Sequence, residues 1–185
     1  MSNYNNRAIT IKNYTLEFWR VRAFILQGLL ITTAVLLPAI AHLMGAPVRI
    51  LLPMHWPIIL AGLVYGWRGG ALTGLLAPTI SFLISGRPLP VVLPAMTIEL
   101  LAYGFVTGLL RERFRWNAFA SVTVAIIIGR IAFISAALLT GYVGKNYLLE
   151  YMRLALLPGI AATLGQIILL PLLGSWWVKK EKSST

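Results

Sequence analysis

The sequence predicts an all-α integral membrane protein, a bundle of six transmembrane helices with both termini in the cytoplasm. Three observations carry that prediction. Apolar residues make up 58 % of the 185 residues, above the roughly 45–50 % of soluble globular proteins. Charged residues make up only 11 %, too few to clothe a water-soluble domain, which normally carries about 25 % on its outside. The apolar residues also run continuously, without the alternation over about 10 residues that a membrane barrel strand requires.

Taken in order, the charge-free runs cover 26 residues from Ala23 to Val48, 18 from Ile50 to Trp67, 18 from Gly69 to Gly86 and 25 from Leu154 to Val178. Two more runs, Pro88 to Leu110 and Trp116 to Gly144, are interrupted once each, by Glu99 and by Arg130. Spans are therefore expected over roughly 23–43, 52–67, 70–86, 91–110, 117–141 and 153–177. Each approaches the ~20 residues that cross about 30 Å of hydrocarbon at 1.5 Å per residue. Residues 1–20 read as a cytoplasmic lead-in, with Ile9 to Trp19 as a candidate interfacial segment, and 179–185 as a cytoplasmic tail, all within one domain over 1–185. A small-x-small site at Ala39, Ile40 and Ala41 resembles a signal-peptide junction, but the preceding apolar run is longer than such a peptide uses. The first helix is expected to stay.

Orientation follows from the basic residues. With cytoplasmic termini, Arg7, Lys12, Arg20, Arg22, Arg68, Arg111, Arg113, Arg115, Lys179, Lys180 and Lys182 lie inside, against Arg49, Arg87, Lys145 and Arg153 outside. The net charge of +11 is then a topology signal and an attraction to the anionic lipid bilayer, and no nucleic acid is expected as a partner. Connections are short: a tight turn at Trp67 to Gly70, a basic one at Arg111 to Trp116, and the longest outer loop at Gly141 to Met152. The first outer connection, His42 to Pro57, holds Pro47, Pro53 and Pro57 and cannot be regular helix throughout. Irregular backbone near a bilayer must be buried by protein or reached by water, so this segment is expected to line something.

Much chemistry is excluded by inventory. Cys and Asp are absent. The nearest approach to a phosphate-cradling loop, Gly144-Lys145-Asn146, lacks the upstream Gly and the hydroxyl, so no ATPase site is expected. No Gly-x-Ser-x-Gly elbow exists, and His42 and His55 lack a close carboxylate or second histidine. Neither an enzyme, nor a metal, nor a cofactor is expected.

What remains is a small set of polar side chains inside the spans. Glu99 and Arg130 sit about half-way through theirs, where each costs about 2.5–3.5 kcal/mol if it faces lipid. Both are expected to face inward, either bridging two helices structurally or meeting a ligand. Met96, Glu99 and Tyr103 stand at i, i+3 and i+7 on one helix face, a thioether, a carboxylate and a phenol fit to wall a small organic molecule. Gly159, Ala162 and Gln166 share a face of the sixth span in the same way, with Gln166 either bonding a neighbouring helix or serving a ligand. His55, between Pro53 and Pro57 beside Trp56, reads as an interfacial anchor or a directed polar group at the outer end of the second span; Ser81, Ser85 and Arg87 end the third near the same surface. The pairs Gly62 and Gly66, Gly70 and Gly74, and Gly104 and Gly108 offer close helix approach, and Gly28 with Thr32 offers a small surface on the first helix for packing or for a partner protein.

The segment from Leu52 to Gly66, LPMHWPIILAGLVYG, is followed by Gly70-x-x-x-Gly74 and Pro78, then by Glu99-x-x-x-Tyr103-Gly104 and Gly108-Leu-Leu. Together with Gly129-Arg130, Pro158-Gly159-Ile160 and Gln166, in this order and spacing, the chain from about Gly28 to Leu173 resembles the substrate-binding S component of energy-coupling factor (ECF) transporters. The resemblance implies an S-component-like bundle that captures a vitamin or vitamin precursor from outside. It implies docking on a transmembrane scaffold subunit with two ATPase subunits, toppling to present the pocket to the cytoplasm. It carries a substrate-binding role onto His55, Glu99, Tyr103, Arg130 and Gln166, beside which Met96 is expected to line the site from its helix face. Where the family often shows Ala-x-x-x-Ala on the first helix for docking, Gly28 and Thr32 stand at that spacing. An Arg suits pantothenate or another small acid, a Glu suits an aminopyrimidine precursor of thiamine, and a neutral ligand could sit over an intact Glu99–Arg130 pair. A bacterial-type plasma membrane is the expected location. The competing expectations are a non-transporting membrane scaffold of the cell-envelope machinery, similar in architecture to rod-shape-determining proteins, and a solitary small-molecule carrier.

Overall fold

The computed structural model describes residues 14–141 and 147–183. The expected lead-in up to residue 13, the outer-loop stretch with Lys145 and the last two residues lie outside that range. The described residues form α1 (Val21–Leu43), α2 (Val48–Leu51), α3 (His55–Ser85), α4 (Leu93–Glu112), α5 (Ala118–Leu139), α6 (Leu148–Leu156), a 3-10 turn (Leu157–Gly159) and α7 (Ile160–Ser183). Five helical stretches are long and apolar enough to cross a membrane: Val21–Leu43, Val48–Ser85, Leu93–Glu112, Ala118–Leu139 and Leu157–Ser183. Large apolar side chains such as Ile25, Leu83, Ile131 and Ile168 are exposed, an arrangement that suits hydrocarbon as the surrounding medium.

The longest of these stretches is not a rod. At Gly66 the backbone takes φ 72°, ψ −166°, a region open essentially to glycine alone. Residues on either side show a reversal: Gly62 and Gly70 both abut the Gly104 carbonyl, although eight residues of straight helix would separate them by about 12 Å. His55 and Ser85, at the two ends of α3, line one cavity. The helices expected over 52–67 and 70–86 are thus two limbs, hinged at Gly66 itself rather than by a loop at Trp67 to Gly70. The break frees polar groups that the rest of the chain satisfies. Glu112, at the end of α4, accepts from the Trp67 N–H (3.3 Å) and pairs with Arg68 (3.3 Å). The Leu16 N–H donates to the Val64 carbonyl (2.7 Å), a group that uninterrupted helix would have used internally.

Both limbs pack on α4, the most extensive interface in the structure. A Cβ at Gly70, Gly74, Gly104 or Gly108 would run into the facing backbone, so glycine at these positions sets the interaxial distance. Helix α1 is fixed by Gln27, which is buried and donates to the Gly69 carbonyl (2.8 Å) and to Thr73 Oγ1. Helix α5 starts on Asn117, whose side chain accepts from the Ala120 N–H (2.7 Å). Arg111 ties the α4–α5 turn to the start of the described chain, donating to the Trp116 carbonyl (3.0 Å) and the Tyr14 carbonyl (3.4 Å). Arg22 pairs with Glu181 (2.7 Å), placing the start of α1 beside the end of α7.

The last segment, expected as one helix over 153–177, is divided. Pro158 has no N–H to donate and its ring opposes a continuous helix, so α6 ends in the 3-10 turn before α7 begins. Helix α7 then runs to Ser183, so the residues expected as a tail from 179 remain helical up to that point.

Candidate functional site

At the end of the bundle opposite the Gly66 turn, a cavity of about 990 Å³ opens between the helices. Its walls come from the end of α1 (Pro38, Ala39, His42), the first connection (Val48, Arg49, Leu52, Pro53, Met54), both ends of α3 (His55, Ser81, Ser85), α4 (Met96, Glu99), α5 (Arg130, Phe133) and α6 (Tyr151, Leu154). The proline-rich connection shapes one side. Helix α2 follows Pro47, Leu52 adopts φ 47°, and Trp56 Nε1 donates to the Leu51 carbonyl (3.1 Å). Leu52 and Trp56 pack against Gly159 and Gly165, positions where a Cβ would crowd them, so the connection leans on the break between α6 and α7.

The floor is a polar triad in an otherwise apolar surround. Glu99 Oε1 accepts from Tyr103 Oη (2.7 Å), one turn along α4, and from Arg130 Nη1 (2.7 Å) on α5. The Tyr103 ring lies over Gly129, where any Cβ would strike it, and that close approach of α4 and α5 is what carries Arg130 to Glu99. Side-chain exposure is 4 % for Glu99 and 18 % for Arg130, so the carboxylate is sealed while the guanidinium retains access to the cavity. The sequence leaves open whether these two charges bridge helices or meet a ligand; in the structure they pair with each other.

His55 is one of several buried polar groups among the described residues with unmet hydrogen-bonding capacity. It is 4 % exposed, its ring lies 5.3 Å from that of Tyr103, and among the described residues neither ring nitrogen makes a hydrogen bond of good geometry, although the Leu52 carbonyl stands near. A buried polar group without a partner is uncommon in a folded protein and needs an explanation. Phe133 and Tyr151 stack at 6.3 Å and supply a flat aromatic wall.

Of the residues singled out from the sequence, His55, Met96, Glu99 and Arg130 line the cavity together, and Tyr103 supports them from behind. Gln166 does not line it: the side chain is buried in α7 and its Nε2 lacks a partner among the described residues. Gly28 and Thr32 are exposed on α1, with open space where a Gly28 side chain would be. Sequence reasoning missed Gln27, Glu112, Arg49 and the Phe133–Tyr151 stack. Gln27 carried the signal that singled out Gln166, a lone amide in an apolar run.

A family model described as ECF transporter, substrate-specific component, matches residues 22–178. The chain belongs to this family. No curated protein and no solved structure matches it. As an ECF substrate-specific component it is a multi-pass membrane protein and a transporter subunit, and the matched span takes in every cavity-lining residue from Pro38 to Leu154. Ligand cavities commonly enclose about 300–1,000 Å³, and this one, apolar with a few convergent polar groups, has the make-up of such a site.

Proposed function

We propose that this ECF substrate-specific component captures a vitamin or vitamin precursor in the cavity floored by Glu99, Tyr103 and Arg130, and hands it to an energy-coupling module of a transmembrane scaffold and two ATPase subunits. The observation that carries the reading is a mostly apolar cavity of about 990 Å³, large enough for such a molecule, on whose wall His55, Glu99 and Arg130 converge. Met96 and the aromatic wall would cover an apolar body, and the triad, with His55 beside it, would fix polar groups at depth. Counting the two limbs of α3 separately supports six crossings. The Gly66 turn, Arg111, Arg115 and the paired ends of α1 and α7 gather at one end of the bundle, which supports a cytoplasmic placement of that end in a bacterial-type plasma membrane and an outward cavity. Pantothenate and a thiamine-precursor pyrimidine are substrates of suitable size. Gly28 and Thr32 would face the scaffold subunit.

Native mass spectrometry of gently solubilised protein tests the reading. A small molecule should remain bound, and Met96→Trp, which puts an indole into the cavity, should lose it while keeping its melting temperature. A wild-type protein that retains nothing and is stabilised by no member of a vitamin panel overturns the proposal, and co-purification with cell-wall machinery in place of ATPase subunits would favour a scaffold.

A further inference from the structure

Charge around the cavity is unbalanced. The chain holds five carboxylate side chains, all glutamates. Four are already committed: Glu17 to Arg20, Glu99 to Arg130, Glu112 to Arg68 and Glu181 to Arg22. The fifth, Glu150, is exposed on α6 and does not line the cavity. Arg49 and Arg87 do line it, from two separate connections, and neither has a carboxylate within ion-pair distance among the described residues. Both are exposed, so they form the rim, whereas the Glu99–Arg130 floor is a neutralised pair.

From this distribution we infer that the ligand is an organic anion whose carboxylate or phosphate is held at the rim by Arg49 and Arg87, with its uncharged body directed inward to the neutral floor. The inference rests on the receptor reading above. Two guanidinium groups beside low-dielectric walls focus a positive potential on the mouth, which draws in anions and repels cationic ligands. Arginine also offers paired N–H donors that match the geometry of a carboxylate or phosphate. Arg130, the obvious acid-binding group from sequence, keeps N–H donors toward the cavity, but its charge is already neutralised by Glu99, which leaves it to orient the ligand body at the floor. A cationic pyrimidine is disfavoured, since it would have to pass two unpaired cations to reach a carboxylate already in use.

Phospholipid headgroups carry the same anionic chemistry, so the test separates them from a soluble acid. The solubilised protein is titrated, with thermal stability as readout, against pantothenate, biotin, lipoate and nicotinate and against their neutral counterparts panthenol, biotinamide, lipoamide and nicotinamide; in parallel, any molecule retained through purification is released and identified by mass. The expected result is that the bound molecule is an acid and binds at least ~10-fold more tightly than its neutral counterpart. Arg49→Gln combined with Arg87→Gln should remove that preference while leaving the ligand-free melting temperature unchanged. A neutral or cationic ligand, an acid bound equally by the double variant, or a phospholipid as the molecule held through these arginines overturns the inference and leaves the receptor reading standing. Complete absence of a bound or stabilising molecule defeats both.

Discussion

Along the α3–α4 seam, Gly70 and Gly104 bring the two backbones into contact, whereas at the far end of the same two elements the walls stand apart around a cavity of about 990 Å³. The first region is determined by what is missing: any Cβ at Gly70 or Gly104 meets a backbone that cannot yield. The second is determined by what is present, a few charged and aromatic groups held at depth by a small set of hydrogen bonds and ring contacts. The difference teaches that one pair of elements can be rigid at its middle and roomy at its end, because the Gly66 reversal lets both α3 limbs lean on α4 at once. It also predicts that the two regions respond oppositely to substitution.

The largest effect is expected at the seam. Gly70→Leu or Gly104→Leu should abolish recovery of monodisperse protein, since overpacking against rigid backbone exceeds the ~1–3 kcal/mol of an ordinary core insertion; size-exclusion chromatography after solubilisation reads this. A well-folded Gly70→Leu would break the contrast. Next comes the floor. Arg130→Ala leaves the Glu99 carboxylate buried without its cation and should cost about 3–5 kcal/mol. Combining Glu99→Gln with Arg130→Met should restore most of that stability without restoring ligand retention. Retention by the double variant would make the triad a brace and no more.

How much of this was legible depends on whether a feature is local. Run length and charge placed the helices, because a bilayer demands about 20 apolar residues whatever the tertiary structure. The turn after the second span was visible as Trp67 to Gly70, but its pivot fell on Gly66, since only the backbone shows which glycine takes the left-handed conformation. Glu99 and Arg130 stood out because hydrocarbon penalises charge, yet that signal could not say that they would meet each other. Glu112 was invisible: it closes a turn 45 residues away in sequence, and beside Arg111 and Arg113 it read as part of a solvated basic turn. The last span was expected as one helix over 153–177, and its division into α6 and α7 depends on Pro158 together with the packing of the first connection against Gly159 and Gly165.

A smaller effect is expected at the turn itself. Glu112→Gln keeps an acceptor for the Trp67 N–H but gives up the charge facing Arg68, and should lower stability by about 1 kcal/mol with ligand affinity unchanged. A fall in affinity would show that the two ends are coupled and sharpen the comparison into a mechanism. The smallest is Arg20→Ala, which removes an exposed pair with Glu17 and should shift the melting curve by less than ~1 kcal/mol.

Gln27 has a consequence for how α1 can be approached. Its amide is bonded to Gly69 and Thr73, and rolling the helix about its long axis would strand that amide in oil. Because neighbouring residues on a helix point about 100° apart, the azimuth of Gly28 and Thr32 is thereby locked. Any protein that binds there must arrive sideways through the lipid and accept the helix as presented, a handle that cannot swivel in the grip.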